Sequence, residues 1–483
     1  MKQRTLKLSV AAVAALGCIG STAFAMEHEF NGMLRIKGDF TNFDQAGGND
    51  ASVNRKLYRT NPAHSFFYSE QRARLKYTGT FSENVKLVTQ FEIDSRWGDS
   101  SQFVARNQGG AVEADSINLE TKNVYMEFTV PAMPTRVKAG IMPFDDAYKG
   151  IFFTADVAGM MTSTKLDSLT INAGWLRGYD NTNFNGADGT IPKTNTAPTS
   201  NGSMQSPQNP GRYSLDLGIL EAKYAVSKDL SFGGSYYLTY SNLEKVQSNM
   251  LSTVGLNASY NFGSGTVDGF LLGQFGDNPT NDFGQVGEKV SSFAANVAAK
   301  VKVGPGTARG TVLYVSGDDG KGKVKAFQCV NQLGDGNATC TFSSAQMTML
   351  ITNTRYAANT DRALLNTSTN YNQGVIGAFI GYDIDIDKTF IKTNLGFGSV
   401  AEDNNTFKPK NLKKADPYSN GKYVGTEVNA EVGYKISSNL TASLIGGYVF
   451  LGDYYKDTVT TTTGAIDAPD NPWKSMVVLN LSF

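Results

Sequence analysis

From Phe30 onward, apolar and polar residues alternate in runs of about ten, each followed by a few turn residues and another such run. This is the pattern of strands that cross a bilayer with one face to lipid and the other to water. In Leu230 to Tyr240, for example, Leu230, Phe232, Gly234, Tyr236, Leu238 and Tyr240 form one face, and Ser231, Gly233, Ser235, Tyr237 and Thr239 form the other. Eight hairpins are predicted, with short turns near Ser82 to Asn84, Pro131 to Pro134, Leu166 to Ser168, Ser227 to Asp229, Gly263 to Gly265, Gly304 to Gly306, Asp385 to Lys388 and Ser437 to Asn439. A first strand at Phe30 to Phe40 and a last at Met476 to Phe483 bring the total to about eighteen, with sixteen the neighbouring even count. The predicted fold class is all-β, a transmembrane antiparallel β-barrel.

The connections alternate in length, short turns belonging to the periplasm and long loops to the exterior. The long ones are Thr41 to Phe67, Ser95 to Thr121, Met142 to Asp156, Gly178 to Arg212, Ser241 to Ser252, Asp277 to Ser292, Gly317 to Gly374, Ser399 to Tyr423 and Asp453 to Ser475. Several are rich in Asn, Gly, Thr and Ser, as solvated loops are. Proline cannot donate to a strand ladder, and all 14 prolines fall outside the proposed strands. Closure into a barrel pairs every backbone donor and acceptor and leaves no edge in lipid. A soluble solenoid would show a repeat of fixed length, whereas these loops vary.

The N-terminus has its own signature. Lys2, Arg4 and Lys7 precede an apolar run from Leu8 to Ile19 and the small-x-small site Ala23-Phe24-Ala25. Residues 1–25 are therefore expected to be a cleaved signal peptide, leaving 26–483 as a single barrel domain. No run of about 18 to 20 apolar residues follows, so helical membrane spans are not expected. Cleavage removes three of the 44 basic residues and none of the 44 acidic ones, for a mature charge of −3. Nucleic acid is an unsuitable partner for such a chain.

Cys329 and Cys340, eleven positions apart in an exported chain, are expected to form one disulfide bracing an exposed loop. There is no haem-attachment motif. The only histidines are His28, beside the mature terminus, and His64, in a loop, so no nucleophile and base stand in register for catalysis. Asp318-Asp319-Gly320 lacks the spacing of a calcium loop, and no metal or cofactor is expected. Aromatic residues near strand ends, such as Tyr236, Tyr240, Tyr260 and Phe270, are expected to form interfacial girdles.

The strand period also sorts the charges. If Leu34, Ile36, Ala73, Leu75 and Tyr77 face lipid, then Arg35, Lys37, Arg72, Arg74 and Lys76 point inward, as do Lys86, Glu92 and Asp94, and Arg136 and Lys138. An Arg or Lys facing lipid at mid-membrane costs about 2–4 kcal/mol, so cations clustered on one phase call for a wet lumen. They would form a basic ladder setting a transverse field, or a solvated wall of local ion pairs.

The chain ends Met476-Val477-Val478-Leu479-Asn480-Leu481-Ser482-Phe483. This resembles the terminal strand of outer-membrane barrel proteins, with a final Phe and apolar residues at alternate upstream positions. The whole mature chain resembles, as an architecture, the larger single-chain porins of Gram-negative Proteobacteria, including the deltaproteobacterial type. The resemblance implies passive diffusion of small hydrophilic solutes and ions through a water-filled outer-membrane channel. It further implies a lipid and lipopolysaccharide surround, recognition of the strand ending at Phe483 by the barrel-assembly machinery, and room for a homotrimer. In many porins the third external loop folds into the pore and sets acidic residues against a basic wall. The corresponding candidates are Asp145, Asp146 and Lys149, although the loop Met142 to Gly150 is short, which argues against an effective constriction. The alternative function is a barrel sheath enclosing a partner such as a multihaem cytochrome.

Overall fold

The computed structural model describes residues 26–43, 65–99, 110–112, 119–180, 214–242, 248–278, 288–330, 340–351, 356, 363–365, 372–402, 421–456, 459–461, 464–466 and 470–483. The proposed signal peptide and His64 lie outside these.

The strands in chain order are β1 (Glu27–Thr41), β2 (Phe66–Ser82), β3 (Val85–Arg96), β4 (Glu120–Thr129), β5 (Thr135–Asp145), β6 (Thr154–Leu166), β7 (Leu169–Asp180), β8 (Ser214–Ala225), β9 (Leu230–Ser241) and β10 (Asn249–Asn261). They continue as β11 (Gly265–Asp277), β12 (Lys289–Val303), β13 (Gly306–Val315), β14 (Val375–Ile386), β15 (Thr389–Ser399), β16 (Tyr423–Lys435), β17 (Leu440–Leu451), β18 (Val459–Thr461), β19 (Gly464–Ile466) and β20 (Trp473–Ser482). β18 and β19 form a small hairpin of their own, and the other eighteen make one antiparallel sheet in which each strand pairs with its chain neighbours. β20 pairs back onto β1 from Met33↔Ser482 to Thr41↔Lys474, so the sheet closes. Gly32 and Phe483 extend that seam with reciprocal backbone hydrogen bonds of 2.8 and 3.0 Å.

All eight predicted short turns connect the strands they were expected to connect. Their chemistry is that of tight hairpins: Asp167 (φ 47°), Asp387 (φ 50°) and Gly263 (φ 84°) take the left-handed conformation such turns require. One proline departs from expectation, because β5 continues through Pro143 to Asp145. Pairing of β5 with β4 stops at Ile141, and beyond it the strand has only β6 beside it. One side there needs no donor, which is where a strand tolerates proline.

The outer surface is an apolar band of residues such as Leu256, Val297, Ile380, Leu444 and Val477. The opposite phase faces the interior. The main buried apolar cluster lies there, joining wall residues such as Tyr237, Phe270, Leu272 and Val449 to loop residues such as Tyr148, Phe152, Phe342 and Met349. Phe270 thus points inward, its ring 5.6 Å from that of Tyr148, and is no girdle residue. Tyr236 and Tyr260 do face outward.

Candidate functional site: the barrel lumen

Two loops fold into the barrel. The first is the short connection between β5 and β6. Asp146, fully buried, accepts the backbone N–H groups of Tyr148 (2.7 Å), Gly150 (2.9 Å), Phe152 (2.8 Å) and Phe153 (2.8 Å). Four donors on one carboxylate curl the backbone into a compact knuckle, with Lys149 (φ 65°) and Gly150 (φ 80°) at its bend. Burial raises the Asp146 carboxyl to about 6, while the four N–H bonds pull in the opposite direction. The knuckle reaches the far wall: Tyr148 Oη lies 2.5 Å from Ser235 Oγ on β9, and Lys149 Nζ lies 2.5 Å from Asp268 on β11 and 2.6 Å from Asn296 on β12.

The second is the long connection after β13, which was expected to be an exposed loop. Its disulfide, Cys329–Cys340, is present and buried. The bridged segment lies against the knuckle, Thr341 N donating to Gly150 O (2.9 Å) and Val330 N to Phe152 O (3.2 Å). It also meets the wall at Gln274, whose side chain donates to Gln328 O (2.6 Å) and accepts from Gln328 N (2.7 Å). Further along, fully buried Glu427 of β16 accepts from Thr348 N and Oγ1 (both 2.7 Å), Met349 N (3.0 Å) and Leu350 N (2.7 Å). The disulfide therefore braces a segment inside the barrel. The loop folds in because apolar residues, Phe342, Met347, Met349, Leu350 and Ile351, would otherwise sit in water.

Glycine makes room for both. A Cβ at Gly255 of β10 would collide with the Tyr148 ring, and one at Gly447 of β17 with Thr348 Oγ1. In their described parts the loops contact walls from β9 round to β17.

The wall of β1 to β4 carries most of the charges singled out from sequence. Arg72 donates to Asp94 through Nε (2.6 Å) and Nη2 (2.5 Å), and lies 3.4 Å from Glu92. Arg74 pairs with Glu92. Lys122 reaches Asp156 (2.7 Å) and Glu92 (3.6 Å). Lys37 is buried against Asp39 (3.0 Å) and Glu70 (3.5 Å), and Arg35 is buried beside it. Nearer the short turns, Arg136 and Lys138 lie 3.4 and 3.8 Å from Glu127. Lys76 stands opposite Gln90 and Lys86 opposite Glu127 in the ladders.

The carboxylates thus stand beside the cations and not across the lumen from them. Asp145 is exposed and hydrogen-bonded to Thr154, while Asp146 is consumed by its own loop. The short loop spans the interior instead through Tyr148 and Lys149, which reach β9, β11 and β12. Sequence reasoning missed Glu427, Gln274 and the inward glycines, whose signal was small or acceptor residues on the water-facing phase.

Similar barrels are known. The crystal structure of Acinetobacter baumannii OccAB1 is 12% identical, with a TM-score of 0.50, covering 94% of this chain and 97% of its own. Acinetobacter baumannii OccAB4 is 12% identical (TM-score 0.49, 95% of this chain and 98% of its own). Pseudomonas aeruginosa OpdK, solved with vanillate, is 13% identical (TM-score 0.48, 94% and 98%). No protein-family model and no curated protein matches the sequence. At such identities the likeness is one of fold.

Among the described residues, no group of three or more His, Cys, Asp or Glu could hold a metal ion. Asp318 is buried and accepts the backbone N–H of Gly320 at 3.2 Å, as a turn residue does. His28 pairs through Nδ1 with Tyr77 Oη at 2.8 Å, on the outer surface near the turns.

Proposed function

We propose that the chain, after loss of residues 1–25, forms a water-filled channel in the outer membrane for passive diffusion of small hydrophilic solutes and ions. The observation that carries this reading is the contrast between the two faces of β1 to β4. Arg72, Arg74, Glu92, Asp94 and Lys122 crowd the inner phase at mid-height, where charges of both signs need water or partners. The outer phase of the same strands is apolar at Leu34, Leu75 and Val124. The two loops narrow the remainder, with Tyr148 and Lys149 at the constriction, so the solute path is assigned to the wall of β1 to β4, which the loops do not contact in their described parts. Such a lumen selects by size and hydrogen bonding and needs no energy beyond the solute gradient.

A sheath around a multihaem cytochrome fits less well, because the chain's own loops occupy the interior that such a partner would need. Strand β20, with the final Phe483 just beyond it, is the natural contact for the barrel-assembly machinery. The apolar band is the surface for lipid, lipopolysaccharide or neighbouring copies in a trimer. Liposome swelling with a graded series of sugars and amino acids tests the function: uptake falling steeply with solute size supports it, and liposomes as tight as protein-free ones reject it.

A further inference from the structure

The inward phase can be followed around the periplasmic half of the wall, and it carries cations that the ion pairs of β1 to β4 do not reach. Lys165 of β6 stands opposite Thr170, and Thr170 opposite Lys223 of β8. The same row continues through Gly233 and Asn257 to Phe270, whose ring packs on Tyr148 inside the barrel. Lys300 and Lys302 of β12 share the phase of buried Asn296 and Ala298. All four lie within a few residues of short turns.

The carboxylates on the inward phase from β4 to β16 have other partners. Glu127 faces Arg136 and Lys138, Asp268 holds Lys149, Asp383 holds Arg309 (2.8 Å), and Asp385 lies 3.5 Å from Lys435. Glu221 accepts from Tyr237 (2.6 Å) and Asn172 (3.0 Å), and Glu431 from Tyr356 (2.7 Å). Among the described residues these four lysines make no ion pair. The turn tips carry Glu83, Asp167, Asp229 and Asp387 beside Lys228 and Lys388, but bulk water surrounds the tips, whereas a low-dielectric wall focuses the field of charges lining it.

We infer that Lys165, Lys223, Lys300 and Lys302 form a cationic collar along β6 to β12 at the periplasmic mouth. This collar, and not the paired ladder of β1 to β4, gives the lumen a preference for small anions. An Arg–carboxylate pair presents a dipole whose field dies away within the width of the lumen, while an unanswered ammonium acts as a monopole over a Debye length. The inference rests on the channel reading.

The test is the reversal potential across planar bilayers in a potassium chloride gradient. Lys165→Glu, Lys223→Glu, Lys300→Glu and Lys302→Glu are combined in one variant, and Arg72→Gln with Asp94→Asn in another. All four lysines are exposed, so the first variant retains the packed interior. Wild type is expected to prefer chloride. The collar variant should lower the chloride-to-potassium permeability ratio by about tenfold near 0.01 M salt, where the Debye length is about 30 Å, and by less than about twofold at 1 M, where it is about 3 Å. The paired variant, which removes one charge of each sign, should leave the ratio unchanged. A conducting collar variant with the wild-type ratio, or a large shift from the paired variant, overturns the collar alone. Correctly inserted wild type that passes no current overturns the channel reading and the collar with it.

Discussion

Replacing Asp146 by Asn tests how the constriction is held. In the native loop Oδ1 accepts from Tyr148 and Gly150 at 2.7 and 2.9 Å, and Oδ2 from Phe152 and Phe153 at 2.8 Å each. Asparagine keeps one acceptor and turns the other into an NH2 facing two backbone donors. Each buried donor left unsatisfied costs about 1–3 kcal/mol, so the docked loop loses roughly 2–6 kcal/mol. At about 1.4 kcal/mol per factor of ten, this takes a loop that is docked nearly always to one that leaves its seat often. The strand ladder is untouched, so the barrel should assemble and keep its resistance to unfolding in detergent. Single-channel recordings of the variant should show higher open-channel current and added noise. If a correctly assembled Asp146→Asn channel has wild-type current and noise, the carboxylate is not what seats the loop.

Two further outcomes follow from the same geometry. Gly255→Val should unseat the Tyr148 ring, raising conductance while strand content by circular dichroism stays constant; unchanged conductance would count against the socket. Leu75→Arg places a cation in lipid at a cost of about 2–4 kcal/mol near the midplane, so the yield of folded protein in refolding assays should drop, and full yield would show that the facing is wrong by one residue.

The wall was legible in the sequence because lipid on one side and water on the other impose a period of two, and a tight turn leaves little latitude between strands. That is why Leu230 to Tyr240 and the eight turns were placed, and why the charges of β2 and β3 fell on one phase. The interior was harder. A loop rich in Asn, Gly, Thr and Ser looks solvated, and the run Met347-Thr348-Met349-Leu350-Ile351 is too short to outweigh its flanks. The better signal lay in the wall: Gly255 and Gly447 on the water-facing phase have no purpose unless something packs on them. Pairing of the ladder was also within reach, since the turn at Ser82 to Asn84 sets Arg72 opposite Asp94 and Arg74 opposite Glu92. Phe270 was misplaced because an aromatic near a strand end satisfies a girdle and a lumen contact equally well.

The proposed channel needs a water-filled path along the inner face of β1 to β4. It is tested most directly by placing a single cysteine there and recording single-channel current before and after adding a bulky, water-soluble thiol reagent. With Arg74→Cys a stepwise fall in current is expected when the reagent is added. Leu75→Cys, on the lipid-facing phase one residue away, should show no change. A current that is untouched at position 74 and reduced at position 75, or no current at all from inserted protein, would contradict it.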